Sequence, residues 1–284
     1  MTIGGKFQTL IRNLRTTNHE VVSERYQEIT RRLNSDFWGN YSRTLNSIYV
    51  GSYGRGTSIK GFSDVDMLMR LPHETYLQYN SYSYNGQSAL LQKVRSSIAQ
   101  KYPNTDVSGD GQVVVVRFVD GIKFEVVPAF IKTDNSYTYP DSNNAGRWRT
   151  CDPIPEINAI NESNNQYKKK VKHLVRMTKA WKAKHNVPIS GMLIETLAMQ
   201  FMDDWEYNDM SYEFYDWMFR DFLKFLSNRN RDQRFWIARG SGQQVYRTGL
   251  FEPKATAGYK IAMEAADTTN DIYWKQLFGS FYTG

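Results

Sequence analysis

Residues 51–66 read GSYGRGTSIKGFSDVD, and the segments on either side of them decide the fold. Upstream, LNSIYV (45–50) has the composition of a strand and runs straight into Gly51 and Ser52. Glycine lets a backbone approach a ligand closely. A helix starting here would aim free N–H groups and its positive end at a phosphate, and the Ser52 hydroxyl would add a donor. Taken alone, Gly-Ser reads first as an ordinary turn. Downstream, DVDMLMRL (64–71) reads as a second strand that stops at Pro72. Strand alternation puts Asp64 and Asp66 on one face, with Val65 and Met67 on the other, toward a core. Two adjacent carboxylates repel unless something neutralises them, and magnesium does so with hard oxygen ligands. The competing reading of a bare Asp-x-Asp is a pair of solvated aspartates.

A third carboxylate, Glu125, lies in IKFEVVP (122–128). Asp120-Gly121, between the β-rich runs Val113–Val119 and Ile122–Phe130, predicts a two-residue hairpin. Alternation sets Phe124 and Val126 on one face and Glu125 on the other. If this strand neighbours 64–71, three carboxylates meet at one edge. That is the donor set of a two-metal phosphoryl-transfer site, whose ions lie about 3.5–4 Å apart. For Glu125 alone, an ordinary charged strand residue is an equal reading.

Around this centre the chain divides in two. Helical spacing of Leu10, Ile11, Leu14, Val21, Val22, Tyr26, Ile29 and Leu33 predicts one long helix over 6–34. Residues 87–101 read as an amphipathic helix. The polar stretch 133–164 reads as an ordered boundary, packed down by Trp148, Ile154 and Ile157. Helices are expected over 165–186, 190–204, 210–228 and 253–266, with Trp205, Trp217, Trp236 and Trp274 in their core. The expected class is α+β: a mixed sheet flanked by helices in residues 1–160, packed on a helical lobe in 161–284.

Hydrophobic residues make up 40% and aromatics 14% of the 284, enough to build a core and to argue against disorder. The apolar run Val126–Ile131 is too short to cross a bilayer, and MTIGGKFQTLIRNLR lacks an apolar signal region. Cys151, the single cysteine, excludes an internal disulfide. A cytoplasmic protein without a membrane partner is expected. The net charge of +7 suits anionic partners without requiring them.

On the 165–186 helix, Lys172, Arg176 and Lys179 fall in one stripe, with Tyr167, Val171, Leu174, Val175, Thr178 and Trp181 on the buried side. The stripe is a phosphate grip or a solvated basic face. Asn158–Asn165 offers groups that could read a base edge, or cap and turn the chain.

The combination of GSYGRGTSIKGFSDVDML (51–68), FEVVPAF (124–130), WRTCDP (148–153) and VKHLVRMTKAWK (171–182) resembles the polymerase β-like nucleotidyltransferases. More closely, it resembles the bacterial cyclic-oligonucleotide synthases of anti-phage (CBASS) signalling, the CD-NTase or SMODS group. These are relatives of cyclic GMP-AMP synthase and oligoadenylate synthetase. The resemblance spans roughly residues 45–200. It implies a synthase that joins two nucleoside triphosphates (ATP, GTP or UTP) and cyclises them, using two Mg²⁺ or Mn²⁺ ions. Asp64 and Asp66 would hold both ions, and Glu125 would complete one site. Lys179 and Ser190 match positions that contact the triphosphate in the cyclic GMP-AMP synthase group, though Ser190 is also a good N-cap. Gly51, Ser52, Lys172 and Arg176 complete the expected phosphate-binding set. The family's third acid is usually aspartate, and Glu125 departs from it by one methylene. A monomer is expected, with its receptor effector on another chain and no obligate nucleic acid, because one cysteine cannot supply the zinc insertion of the animal sensors. The alternatives are a template-free RNA-tailing enzyme and a catalytically weak nucleic-acid sensor.

Overall fold

The first 38 residues, predicted as one helix over 6–34, form two: α1 (Ile3–Leu14) and α2 (His19–Trp38). The break falls at Arg15, whose backbone turns extended (ψ 141), and at Thr16, Thr17 and Asn18, which are poor helix formers. The computed structural model describes residues 2–267 and 271–283. The chain forms two compact units, each discontinuous in sequence. One holds Thr17–Gly54 and Ser63–Pro153; the other holds Met1–Thr16, Arg55–Phe62 and Ile154–Gly284. This differs from a single boundary near residue 160. Phe7, Leu10, Ile11 and Leu14 of α1 belong to the second core, and the 55–62 excursion carries the buried Thr57, Ser58 and Ile59 with it.

The first unit is built on β1 (Ser47–Tyr49), β2 (Val65–Arg70), β3 (Asp106–Asp110), β4 (Val113–Arg117), β5 (Lys123–Ile131), β6 (Tyr137–Asp141) and β7 (Arg147–Cys151). A single turn, α3 (Gly51–Gly54), follows β1, and α4 (His73–Asn80) and α5 (Gly86–Lys101) follow β2. The strand order is β1-β2-β5-β4-β3, with β6 joining β5 to β7. Among the described strands only β2 and β5 pair in parallel, so the sheet is mixed, as expected. Val65, Met67, Met69, Phe124 and Val126 alternate onto the core that α2 and α5 cover. One local reading needs correction and one gains detail. The β4–β5 loop has three residues, Val119–Gly121, between the bonded Phe118 and Ile122. Gly121 takes φ +84, the left-handed residue of a three-residue hairpin. The stretch 133–164, expected as an ordered boundary, takes its order from β6, β7 and α6 (Pro153–Gln166). Trp148 does pack, against Tyr76 and Phe130, but Ile154 is 38% exposed and Ile160 is the buried anchor.

In the second unit, α7 (Lys170–His185) starts later than predicted because Lys168 and Lys169 both adopt positive φ. It packs with α8 (Gly191–Asp204), α9 (Tyr215–Ser227), α10 (Glu252–Asp267) and α11 (Ile272–Phe278). A short hairpin, β8 (Phe235–Ile237) and β9 (Gln244–Tyr246), and α11 were not foreseen. Trp205, Trp236 and Trp274 are buried as expected, whereas Trp217 is 36% exposed and meets Phe214 edge-on.

The approach to β1 is held by Asn34 of α2, fully buried. Its amide donates to the carbonyls of Ser42 and Leu45, both at 2.9 Å, and its Oδ1 accepts from Asn46 Nδ2 at 2.9 Å. Asn46 in turn takes the Arg70 guanidinium, so one buried amide ties α2, the incoming loop and the end of β2 together. Asn34→Ala strands two carbonyls and an amide, and is expected to lower unfolding free energy by about 2–4 kcal/mol, read by urea denaturation.

Candidate active site

The turn after β1 is fastened to β2. Val50 N–H donates to Asp66 O at 3.0 Å, and Gly54 N–H to Val50 O at 2.8 Å. Gly51 has φ +56, and a Cβ built there would coincide with the Asp66 carboxylate. Only glycine admits that approach. The sheet therefore brings Gly51 against Asp66, with half-buried Ser52 next in the chain.

Parallel register sets Asp66 directly beside Glu125, and Val65 beside Phe124. Asp64 lies one residue before β2 rather than on it. It still faces the same way, because one side chain bridges it to Glu125. The Lys123 ammonium is 2.6 Å from Asp64 Oδ2 and 2.9 Å from Glu125 Oε1. Sequence reasoning missed Lys123, although it stands two residues before Glu125 and so shares its face. Burial pulls the Lys123 pKa down, but the two carboxylates outweigh it and hold the group above its ordinary value. Among the described residues, no three acids, histidines or cysteines form a ready metal cage. A tethered cation already lies between two of the three carboxylates. Carboxylate oxygens gathered about a positive charge are the donor chemistry that a hard divalent ion takes, and Asp64, Asp66 and Glu125 are the residues that could hold one.

The other expected residues lie on the helical unit. Arg176 donates to Gly56 O at 2.7 Å and Ser58 O at 3.4 Å. Lys172 Nζ donates to Asn161 Oδ1 at 2.6 Å. Lys179 is buried, with Nζ at 2.9 Å from both Thr57 Oγ1 and Glu195 Oε1. Arg55 also pairs with Glu195 and lies 3.6 Å from Glu156. The stripe is therefore not a solvated face: Arg176 and Lys179 clasp residues 56–58, and Lys172 is tied to Asn161. Burial, then Arg176, lowers the Lys172 pKa; burial, then Arg15, lowers that of Arg176 to about 10. Ser190 accepts from Leu193 N–H at 3.1 Å and caps α8. Asn164 accepts from Lys172 N–H at 3.0 Å, which is the capping use of the Asn-rich segment. Glu195 went unforeseen; its signal was a lone acid inside the apolar run of α8.

The family model of the Second Messenger Oligonucleotide or Dinucleotide Synthetase (SMODS) domain matches residues 1–164. A probable cyclic nucleotide synthase of Bacillus cereus strain VD146 is 23% identical over 201 residues, 61% of this chain. The match spans 59% of that curated relative's length. Among solved structures, CdnC of E. coli MS115-1 with ATP is 17% identical, covers 98% of both chains and gives a TM-score of 0.68. The Bradyrhizobium diazoefficiens CD-NTase CdnG with GTP is 13% identical, covers 97% of this chain and 94% of its own, and gives 0.70. The Vibrio cholerae cyclic AMP-GMP synthase DncV, with its linear intermediate, is 14% identical, covers 84% and 70%, and gives 0.68. These likenesses are of fold, the polymerase β-like arrangement of a mixed sheet with a helical C-terminal region.

Burial alone would raise the Glu195 pKa, but Lys179 and Arg55 outweigh it and hold it down at about 2. Its stabilisation is thus full above the ordinary 4.5 and is lost as pH falls toward about 2. Glu195→Gln leaves the buried Lys179 without a carboxylate and Arg55 with Glu156 alone, and is expected to cost about 3–5 kcal/mol. It should also flatten the loss of stability over that acid range, read by thermal melts across pH.

Proposed function

The chain belongs to the Second Messenger Oligonucleotide or Dinucleotide Synthetase family, and on that premise we propose that it joins two nucleoside triphosphates and closes the product to a cyclic dinucleotide. The observation that carries this reading is the pairing of Asp64 and Glu125 about one cation, with Asp66 in register beside them. In each step a ribose hydroxyl oxygen of one nucleotide would attack the α-phosphorus of a triphosphate. A P–O bond forms, the α–β bridge breaks, and pyrophosphate leaves. Asp64, Asp66 and Glu125 would hold two Mg²⁺ or Mn²⁺ ions, which when bound lower the pKa of the attacking hydroxyl and neutralise the departing pyrophosphate.

The chain's own groups do the rest. Glu125, half-buried and in register beside Asp66, would take the hydroxyl proton. Its extra methylene gives it reach across the interstrand gap. Gly51 and Ser52 would present backbone N–H groups and a hydroxyl to phosphate. Lys172, Arg176, Lys179 and Ser190 would bind the rest of the triphosphate. For Lys179 this requires sharing with Glu195, so its direct effect would be on the 55–58 segment. Lys123 neutralises the acids before substrate arrives and would yield to the entering ions.

ATP, GTP or UTP are the proposed substrates. The product would act as a signal, read by a separate receptor effector in anti-phage (CBASS) defence. We place this activity in the cytoplasm, carried by a monomer with no need of nucleic acid. No helix among the described residues is long and apolar enough to cross a membrane.

Incubation with labelled triphosphates and Mg²⁺ or Mn²⁺, followed by phosphatase and mass spectrometry, is expected to leave a phosphatase-resistant cyclic product. Asp64→Asn with Asp66→Asn should abolish it. Free nucleosides alone, or lengthening of a supplied RNA primer, would contradict the proposal. Lys123→Gln removes the competing ammonium, so Mn²⁺ should bind several-fold tighter by electron paramagnetic resonance titration; weaker binding would show that Lys123 organises the carboxylates instead.

A further inference from the structure

Within the helical unit, α1, the 168–173 corner and the 209–215 segment line a cavity of about 530 Å³. None of the proposed catalytic or phosphate-binding residues lines it. Its charge is one-sided: Arg12, Arg15, Lys168 and Lys170 line it with one carboxylate residue, Asp209, beside the imidazole of His173. Among the described residues none of the four Arg and Lys side chains is ion-paired. Lys170 is the sharpest case. It is 2% exposed, and its ammonium reaches only backbone carbonyls, Asn208 O at 2.9 Å and Tyr167 O at 3.5 Å. A buried ammonium among neutral dipoles is costly unless an anion joins it. The excess charge also reaches its neighbours. Burial, then Arg176 and Arg15, pushes the His173 pKa down to about 4.

The cavity also offers ring faces. Tyr212 and Met210 stand at its mouth, 40% and 39% exposed. Tyr215 lies deeper, its hydroxyl 2.7 Å from His173 Nδ1. Cations beside tyrosines suit a ligand with both phosphate and a flat ring, since phosphate takes charge-assisted bonds and a base stacks on an aromatic face. The volume lies in the range of small-molecule sites.

We propose that this cavity is a nucleotide site separate from the carboxylate centre, with phosphate on Arg15, Lys168 and Lys170 and the base on Tyr212. It does not rest on the catalytic reading. The test is calorimetric titration of the full chain with ADP, and separately with inorganic pyrophosphate, in EDTA. ADP should bind, and more tightly than pyrophosphate. Asp64→Asn with Asp66→Asn should leave that binding unchanged. Arg15→Glu with Lys168→Glu, both exposed positions, should weaken it by about tenfold or more. Tyr212→Ala should bring ADP down to the level of pyrophosphate. Photolabelling with 8-azido-ATP in EDTA should mark residues 206–220. Four results would overturn the proposal: no ADP binding, binding lost with the aspartate pair, binding untouched by the charge reversals in a folded variant, or label confined to the sheet unit. Equal affinity for ADP and pyrophosphate would also overturn it, by removing the base from recognition.

Discussion

The parallel pairing of β2 with β5 is the constraint on which the site depends. In an otherwise antiparallel sheet it sets Asp66 and Glu125 at the same level on adjacent strands. Moving the register by one residue would turn Glu125 into the core and Phe124 out of it. The apolar alternation of Val65, Met67, Phe124 and Val126 therefore fixes the acids as firmly as it fixes the core. The cost is a concentration of negative charge at one edge. Lys123 answers it, spanning Asp64 and Glu125 from the strand that carries Glu125. Gly51 answers a different demand, leaving the space that the Asp66 carboxylate needs.

A second centre of charge organises the helical unit. Glu195, 1% exposed, draws Arg55, Thr57 and Lys179 onto one carboxylate. This network holds the 55–58 segment, which follows the Gly51 turn in the chain. It gives Lys179 a structural duty that a phosphate-binding role alone would not require. The buried ions set one another's charge, so the network should be most sensitive to acid, where Glu195 gains a proton.

Much of this was legible in the sequence. The Gly-Ser turn, Asp-x-Asp and Glu125 announced themselves through strand alternation, and the apolar faces of α7 and α8 through helical spacing. What stayed hidden depended on partners far along the chain. Lys123 looks like any strand lysine until β2 is placed beside β5. Glu195 looks like a stray charge until Arg55 is brought in from 140 residues away. The helix break at Arg15–Asn18 was missed because apolar spacing continues across it, while the two halves serve different cores. The hairpin of β6 and β7 was missed because RWRTC is mostly polar and partly exposed, and YTYPD carries a proline, which argues against a strand.

The claim that Asp64, Asp66 and Glu125 form one cation-binding centre is tested most directly by anomalous diffraction from crystals soaked in Mn²⁺ and a non-hydrolysable nucleoside triphosphate. The account expects manganese peaks ligated by these three carboxylates, with the Lys123 ammonium displaced from between Asp64 and Glu125. Manganese bound elsewhere, with the Lys123 bridge intact, would contradict it.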